Sequence, residues 1–91
     1  MDQNTAIEAF AALAQESRMT IYRMLVREEP REVPVGEISR KLDILPSTLS
    51  GHLAVLKRAG LLKSRRHQRE IRYTANITAM NELISFMLED C

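Results

Sequence analysis

The chain has 91 residues, 45% hydrophobic and 27% charged, with three Gly, three Pro, one Cys and a formal net charge of +1. That profile speaks against a disordered chain and fits one globular, helix-rich domain over 1–91, whose modest core makes a subunit interface a natural supplement. MDQNT has no basic flank before an apolar core, and no apolar run nears the roughly 18 residues of a spanning helix, so no membrane partner and a cytoplasmic location are expected.

The near-neutral sum hides a polarised distribution. Before Pro46, Asp2, Glu8, Glu16, Glu28, Glu29, Glu32, Glu37 and Asp43 slightly outnumber Arg18, Arg23, Arg27, Arg31, Arg40 and Lys41. From Pro46 to Arg72, Lys57, Arg58, Lys63, Arg65, Arg66, Arg69 and Arg72 face Glu70 alone. A basic middle of this kind matters more than the net charge when the partner is a polyanion.

In chain order, Thr5 and Glu8 stand at capping-box spacing, and Ile7, Phe10, Ala11 and Ala14 recur on one helical face, which predicts a first helix from about Thr5 to Ala14. Its mostly small apolar face suits close packing, against its own core or against a second subunit. Ser17 is placed to cap a second helix running to about Glu28, with Ile21, Met24 and Leu25 inward, Tyr22 and Val26 widening the stripe, and Pro30 ending it. EPREVP then reads as a polar connection in which Val33 to Val35 can form a very short strand, kept to an edge by Pro34.

Gly36 to Leu42 predicts a helix of about two turns that buries Val35, Ile38 and Leu42. Asp43 and Ile44 leave room only for a sharp turn. Pro46 suits the first turn of the next helix, where its missing N–H costs nothing, and Gly60 is placed to close that helix in a left-handed conformation. Leu49, Leu53 and Leu56 form its inner stripe. Ser47, Thr48, Ser50, Gly51, Ala54, Lys57 and Arg58 then face outward, hydroxylic at the start and cationic at the end, as in a helix presented to a DNA major groove.

LLKSRR and EIRYT predict two strands joined through HQ or HQR, a β-hairpin lined with Arg and Lys. The last helix begins near Asn76 or Thr78, and Ile77, Met80, Leu83, Ile84, Met87 and Leu88 repeat at helical spacing, a face that reaches Cys91 if extended by a turn. So apolar a stripe needs cover, and a second copy supplies it through a two-fold interface.

ESRMTIYRML, EISRKLDILPSTLSGHLAVLKRAGLLKSRR and REIRYT resemble the ArsR/SmtB family of winged helix-turn-helix transcriptional repressors, over roughly Phe10 to Thr74. STLSGHLAVLKRAGLL carries the most specific part of the likeness. The resemblance implies an α+β, mostly helical winged helix-turn-helix, with a two-stranded β-hairpin wing and flanking N- and C-terminal dimerisation helices. It implies a homodimer that binds double-stranded DNA at an operator with dyad symmetry and represses transcription until an inducer releases it. Ser47, Thr48, Ser50 and His52 fall on the family's recognition helix and Arg65, Arg66 and Arg69 in its wing. With Pro46, Gly51, Lys57 and Lys63 these are the candidate DNA-binding residues. Ile7, Phe10, Met80, Leu83, Ile84, Met87 and Leu88 are the candidate dimer interface.

The physics of each group agrees. Hydroxyls and free N–H groups at a helix N-terminus suit phosphates and base edges, and hairpin cations release counterions from the backbone. Two positions depart from relatives: Leu45 stands where many have a capping Ser, and Gly51 where many have an Arg. A lost cap costs about 1 kcal/mol, and a lost guanine-gripping Arg removes about 1–3 kcal/mol of base discrimination.

The family's Cys-x-Cys metal positions correspond to Pro34 and Gly36, and the last helix has no His, so neither of the two metal sites is expected and no cofactor is assigned. Cys91 resembles the tail of arsenite-responsive relatives. One thiol per chain falls short of the three that trivalent arsenic prefers, which leaves Cys91 as a candidate thiol sensor and the inducer open. No Cys/His pair with an orienting group, phosphate-binding glycine loop or clustered carboxylates suggests an enzyme. The competing reading is a dimeric winged-helix module that binds a protein partner instead of an operator.

Overall fold

The computed structural model describes residues 1–89; Cys91, the candidate sensor, lies outside them. Five helices and a three-stranded sheet follow in the order α1 (Gln3–Leu13), α2 (Glu16–Glu28), β1 (Val33–Pro34), α3 (Val35–Leu42), α4 (Pro46–Arg58), β2 (Leu62–His67), β3 (Glu70–Ala75) and α5 (Ile77–Leu88). No helix is long and apolar enough to cross a membrane among the described residues.

Helix α1 starts earlier than its capping-box spacing suggests. Asp2, not Thr5, is the N-cap, its Oδ1 accepting from the Thr5 N–H at 2.8 Å. The same hydrogen bond holds the Asp2 carboxyl below its usual range. The buried face also differs: Ala6, Ala9, Ala12 and Leu13 are inside, while Ile7, Phe10 and Ala11 are exposed. Alanines let α1 lie close on α2 and α4, and the larger side chains turn outward.

Helix α2 is capped by Gln15, whose side-chain oxygen accepts from the Arg18 N–H at 2.9 Å, rather than by Ser17. Ile21, Tyr22, Met24 and Leu25 are buried as the stripe predicts, whereas Val26 is exposed. Val33 and Pro34 pair antiparallel with Tyr73 and Arg72, which makes β1 the edge of a sheet ordered β1-β3-β2. The wing is therefore a hairpin with a third, two-residue strand along its base. Its β2–β3 ladder runs from Leu62↔Ala75 to His67↔Glu70, which fixes Gln68 and Arg69 as the turn. Gln68 takes the positive φ (57°) that such a tight turn demands.

One core joins these elements. Ile21, Leu25, Ile38, Leu49, Leu53, Leu56, Leu61 and Leu83 are essentially inaccessible, so every helix except α1 contributes a large side chain to its centre. Val35 and Leu42 pack at its margin, only partly covered. Asn76 caps α5, accepting from the Ala79 N–H at 3.2 Å, and its amide also donates to the Gly60 carbonyl at 3.0 Å. One side chain thus links the end of α4 to the start of the terminal helix. Gly60, at φ +81°, turns the chain out of α4 in the left-handed conformation its position predicts.

Candidate nucleic-acid interface

The angle between α3 and α4 is set by a three-residue connection. Asp43 adopts a left-handed conformation (φ 53°, ψ 48°), and its N–H and that of Ile44 both donate to the Ser39 carbonyl. The Ser39 hydroxyl returns a hydrogen bond to the Ile44 carbonyl at 2.6 Å. Ser39 thereby locks the turn from both directions, a role that its place in the helical pattern of α3 does not announce.

Leu45 is the N-cap of α4 and offers no side-chain acceptor. Leu49, Leu53 and Leu56 anchor the helix in the core. Pro46, Ser47, Thr48, Ser50, Gly51 and Ala54 form a continuous exposed face, and His52 is half-buried on its flank. A Cβ added at Gly51 would meet no atom within 4 Å, so internal packing does not require the glycine. Leu45 itself is 73% exposed at the head of this face. The α4 N-terminus therefore presents short hydroxyls, backbone N–H groups and the positive end of the helix dipole to an outside partner.

At the other end, Lys57 Nζ donates to Ser64 Oγ at 2.6 Å, tying α4 to β2 and fixing the hairpin beside the helix. A cleft of about 480 Å³ between helix and hairpin is bordered by Gly36, Ser50, Arg69, Ile71 and Tyr73. Lys63, Arg66 and Arg69 are exposed, and Arg66 Nε donates to the Gln68 carbonyl across the turn at 3.3 Å.

Arg65 differs from its neighbours. Its Nε and Nη2 donate to the two carboxylate oxygens of Glu32 at 2.8 and 2.7 Å. These hydrogen bonds push the Glu32 carboxyl below its usual range and raise the Arg65 guanidinium. Glu32 has no place in a sequence-level set of binding residues, because the pairing becomes visible only when β1 closes on β3. Pro34 and Gly36 flank the first residue of α3, and among the described residues no group of three or more His, Cys, Asp or Glu is placed to hold a metal ion.

The candidate interface between subunits divides in two. Leu83 is buried by its own chain and Met80 is partly covered, so Leu83 belongs to the core rather than to a free surface. Ile7, Phe10, Ile84, Met87 and Leu88 are 42–78% exposed. Phe10, Leu13, Met80, Leu83, Ile84, Met87 and Leu88 enclose a wholly apolar groove of about 250 Å³ between α1 and α5.

A short helix, a locked turn, a second helix with an exposed polar face and a cationic hairpin define a winged helix-turn-helix. Residues 13–65 match the family described as "Helix-turn-helix domain". The chain is 35% identical over 89 residues to the transcriptional activator HlyU of Vibrio cholerae, across 96% of this chain and 80% of that protein. It is 48% identical over 42 residues to a biofilm growth-associated repressor of Agrobacterium fabrum, across 46% of this chain and 36% of that one. The structure of an ArsR-like transcriptional regulator from Rhodococcus sp. RHA1 superposes with a TM-score of 0.81 at 26% identity, covering 92% of this chain and 76% of that one. The chain belongs to the ArsR-type winged helix-turn-helix family of transcriptional regulators.

Proposed function

We propose that the protein is a homodimeric, sequence-specific DNA-binding repressor, released from a dyad-symmetric operator by an inducer. The observation that carries the reading is the exposed Ser47–Ala54 face of α4 beside a hairpin bearing Lys63, Arg66 and Arg69, which meet no carboxylate among the described residues. In this arrangement α4 enters the major groove, its hydroxyls meet base edges and phosphates, and the wing lies on the flanking backbone. The α1/α5 face is covered by the same face of a second copy, which sets the two recognition helices about 34 Å apart for successive major grooves. Repression follows when the operator overlaps the promoter; the activator relative shows that a related chain can serve the opposite sign.

Titration of the duplex upstream of the protein's own gene, followed by fluorescence anisotropy at several salt concentrations, tests this. Binding is expected to prefer that duplex over a scrambled one. Arg66→Ala and Arg69→Ala should each flatten the log–log salt dependence by about 1.8, about 0.9 for each subunit of the dimer. A salt-insensitive affinity that both variants leave unchanged would favour the protein-interaction module. Repeating the titration with arsenite, zinc and an oxidant, with Cys91→Ser alongside, identifies a thiol-directed inducer if release is lost in the variant.

A further inference from the structure

The cations of the wing fall into two groups: Arg65 and Arg72 are each held by a carboxylate, whereas Lys63, Arg66 and Arg69 meet none among the described residues. In the antiparallel ladder, Arg65 stands directly opposite Arg72, and Arg72 opposite Pro34, so the three form one row across the sheet from β2 to β1. Two guanidinium groups directly opposed repel each other. Here each has a carboxylate: Arg72 Nη2 lies 3.2 Å from Glu70, and Arg65 reaches over the central strand to Glu32, just ahead of β1.

The Arg65–Glu32 contact uses Nε and Nη2 together, the forked edge with which Arg holds a phosphate. For a DNA phosphate to take that edge, Glu32 must be displaced, and its carboxylate would then remain unpaired beside the polyanion. Lys63, Arg66 and Arg69 meet no such competitor among the described residues.

We propose that Glu32 sets the number of phosphates the wing neutralises, by withholding Arg65 from the DNA backbone; this rests on the DNA-binding reading. Arg65 then acts as a strap between β2 and the chain entering β1, and the working cations of the wing are Lys63, Arg66 and Arg69. Because a phosphate contact carries no sequence information, withholding one lowers affinity for all DNA and leaves base-edge contacts with a larger share of the discrimination.

The test compares the wild type, Glu32→Gln and the double variant Glu32→Gln/Arg65→Ala on the upstream duplex and on a scrambled duplex of equal length. Glu32→Gln is expected to bind both duplexes more tightly at low salt. Its salt slope should steepen by about 1.8, about 0.9 for each subunit of the dimer, so that moving from 50 to 200 mM costs it about 12-fold more affinity than the wild type. The double variant should return to the wild-type slope. An unchanged or shallower slope in Glu32→Gln overturns the proposal, as does a steeper slope that survives in the double variant.

The Arg65 Nε–H resonance of the free protein supplies a readout independent of DNA. It should be distinct in the wild type and move to the solvent-exposed position in Glu32→Gln. An unmoved resonance overturns the strap itself. A moved resonance in a protein that binds neither duplex leaves the strap standing, and overturns both the DNA-binding reading and the role assigned to Glu32.

Discussion

Helices α4 and α5 are built alike on the inside and differ on the outside. Each anchors itself with leucines, Leu49, Leu53 and Leu56 in one and Leu83 in the other. Beyond that anchor, α4 shows water Ser47, Thr48, Ser50, Gly51 and Ala54, whereas α5 shows Ile77, Ile84, Met87 and Leu88, with Phe10 and Ile7 of α1 alongside. A hydroxylic face is at equilibrium with water and free for a hydrated polyanion. An apolar one forgoes about 25 cal/mol for every Å² left uncovered. The difference teaches that one chain buries the inner face of α4 and leaves large apolar side chains of α1 and α5 uncovered by its own described residues.

The largest expected effect comes from removing the cover. Ile84→Asp with Met87→Asp places carboxylates in the apolar face without touching the monomer core, and sedimentation should then give the mass of a single chain. Operator affinity should fall by about 10²–10⁴-fold, because two linked recognition helices become two independent ones. Leu83 is unsuitable for this purpose, since a charge there would unfold the subunit. A double variant that still sediments as a dimer would break the comparison on its α5 side.

Next in size is the shared interior. Leu53→Ala, one residue from the outward Ala54, should cost about 2–5 kcal/mol in urea unfolding. A cost near zero would mean that α4 is held by its caps rather than by its stripe.

Most of the reading head is legible in the sequence because it obeys local rules: an inner leucine stripe, Pro46 at the first turn and Gly60 in the left-handed region. The terminal pair is less so. In α1 the periodicity admits two faces, and the choice of the alanine face over Ile7 and Phe10 depends on how closely α2 and α4 approach, which is a tertiary quantity. Both cap assignments near the N-terminus moved for the same reason, since Asp2, Gln15 and Ser17 are all plausible acceptors and the chain's path decides among them. The Arg65–Glu32 pair joins residues 33 positions apart and has no local signature. It also alters the choice of mutants for testing the DNA-binding proposal, which then falls on Arg66 and Arg69 rather than on Arg65.

A smaller effect sharpens the α4 side. Gly51 has room for a methyl group and sits in a helix interior, where Gly is less favourable than Ala by about 0.5–1 kcal/mol. Gly51→Ala should therefore raise the unfolding midpoint while adding a methyl to the face assigned to DNA. Stabilisation accompanied by weaker operator binding would show that the outward face yields stability to its partner. A lower midpoint would show that Gly51 serves the fold.

The smallest effect lies on the far side of the head, where α3 is tied to α2. Glu37 accepts from Arg31 and pairs with Lys41 at 3.0 Å, while Arg31 also holds Glu28 at 2.6 Å. The Arg31 hydrogen bond, followed by that of Lys41, brings the Glu37 carboxyl from 4.5 down to about 2. A carboxylate whose pKa is lower folded than unfolded contributes stability that is complete above the unfolded value and lost as pH falls through the folded one. The window here is pH 4.5 to about 2. The difference in melting temperature between wild type and Glu37→Gln should be constant at neutral pH, narrow across that window and vanish below it. The pair is solvent-accessible, so the difference should also shrink in high salt. A gap that persists at low pH would assign Glu37 to packing of α3, and the rigidity of the head would then owe nothing to this charge cluster.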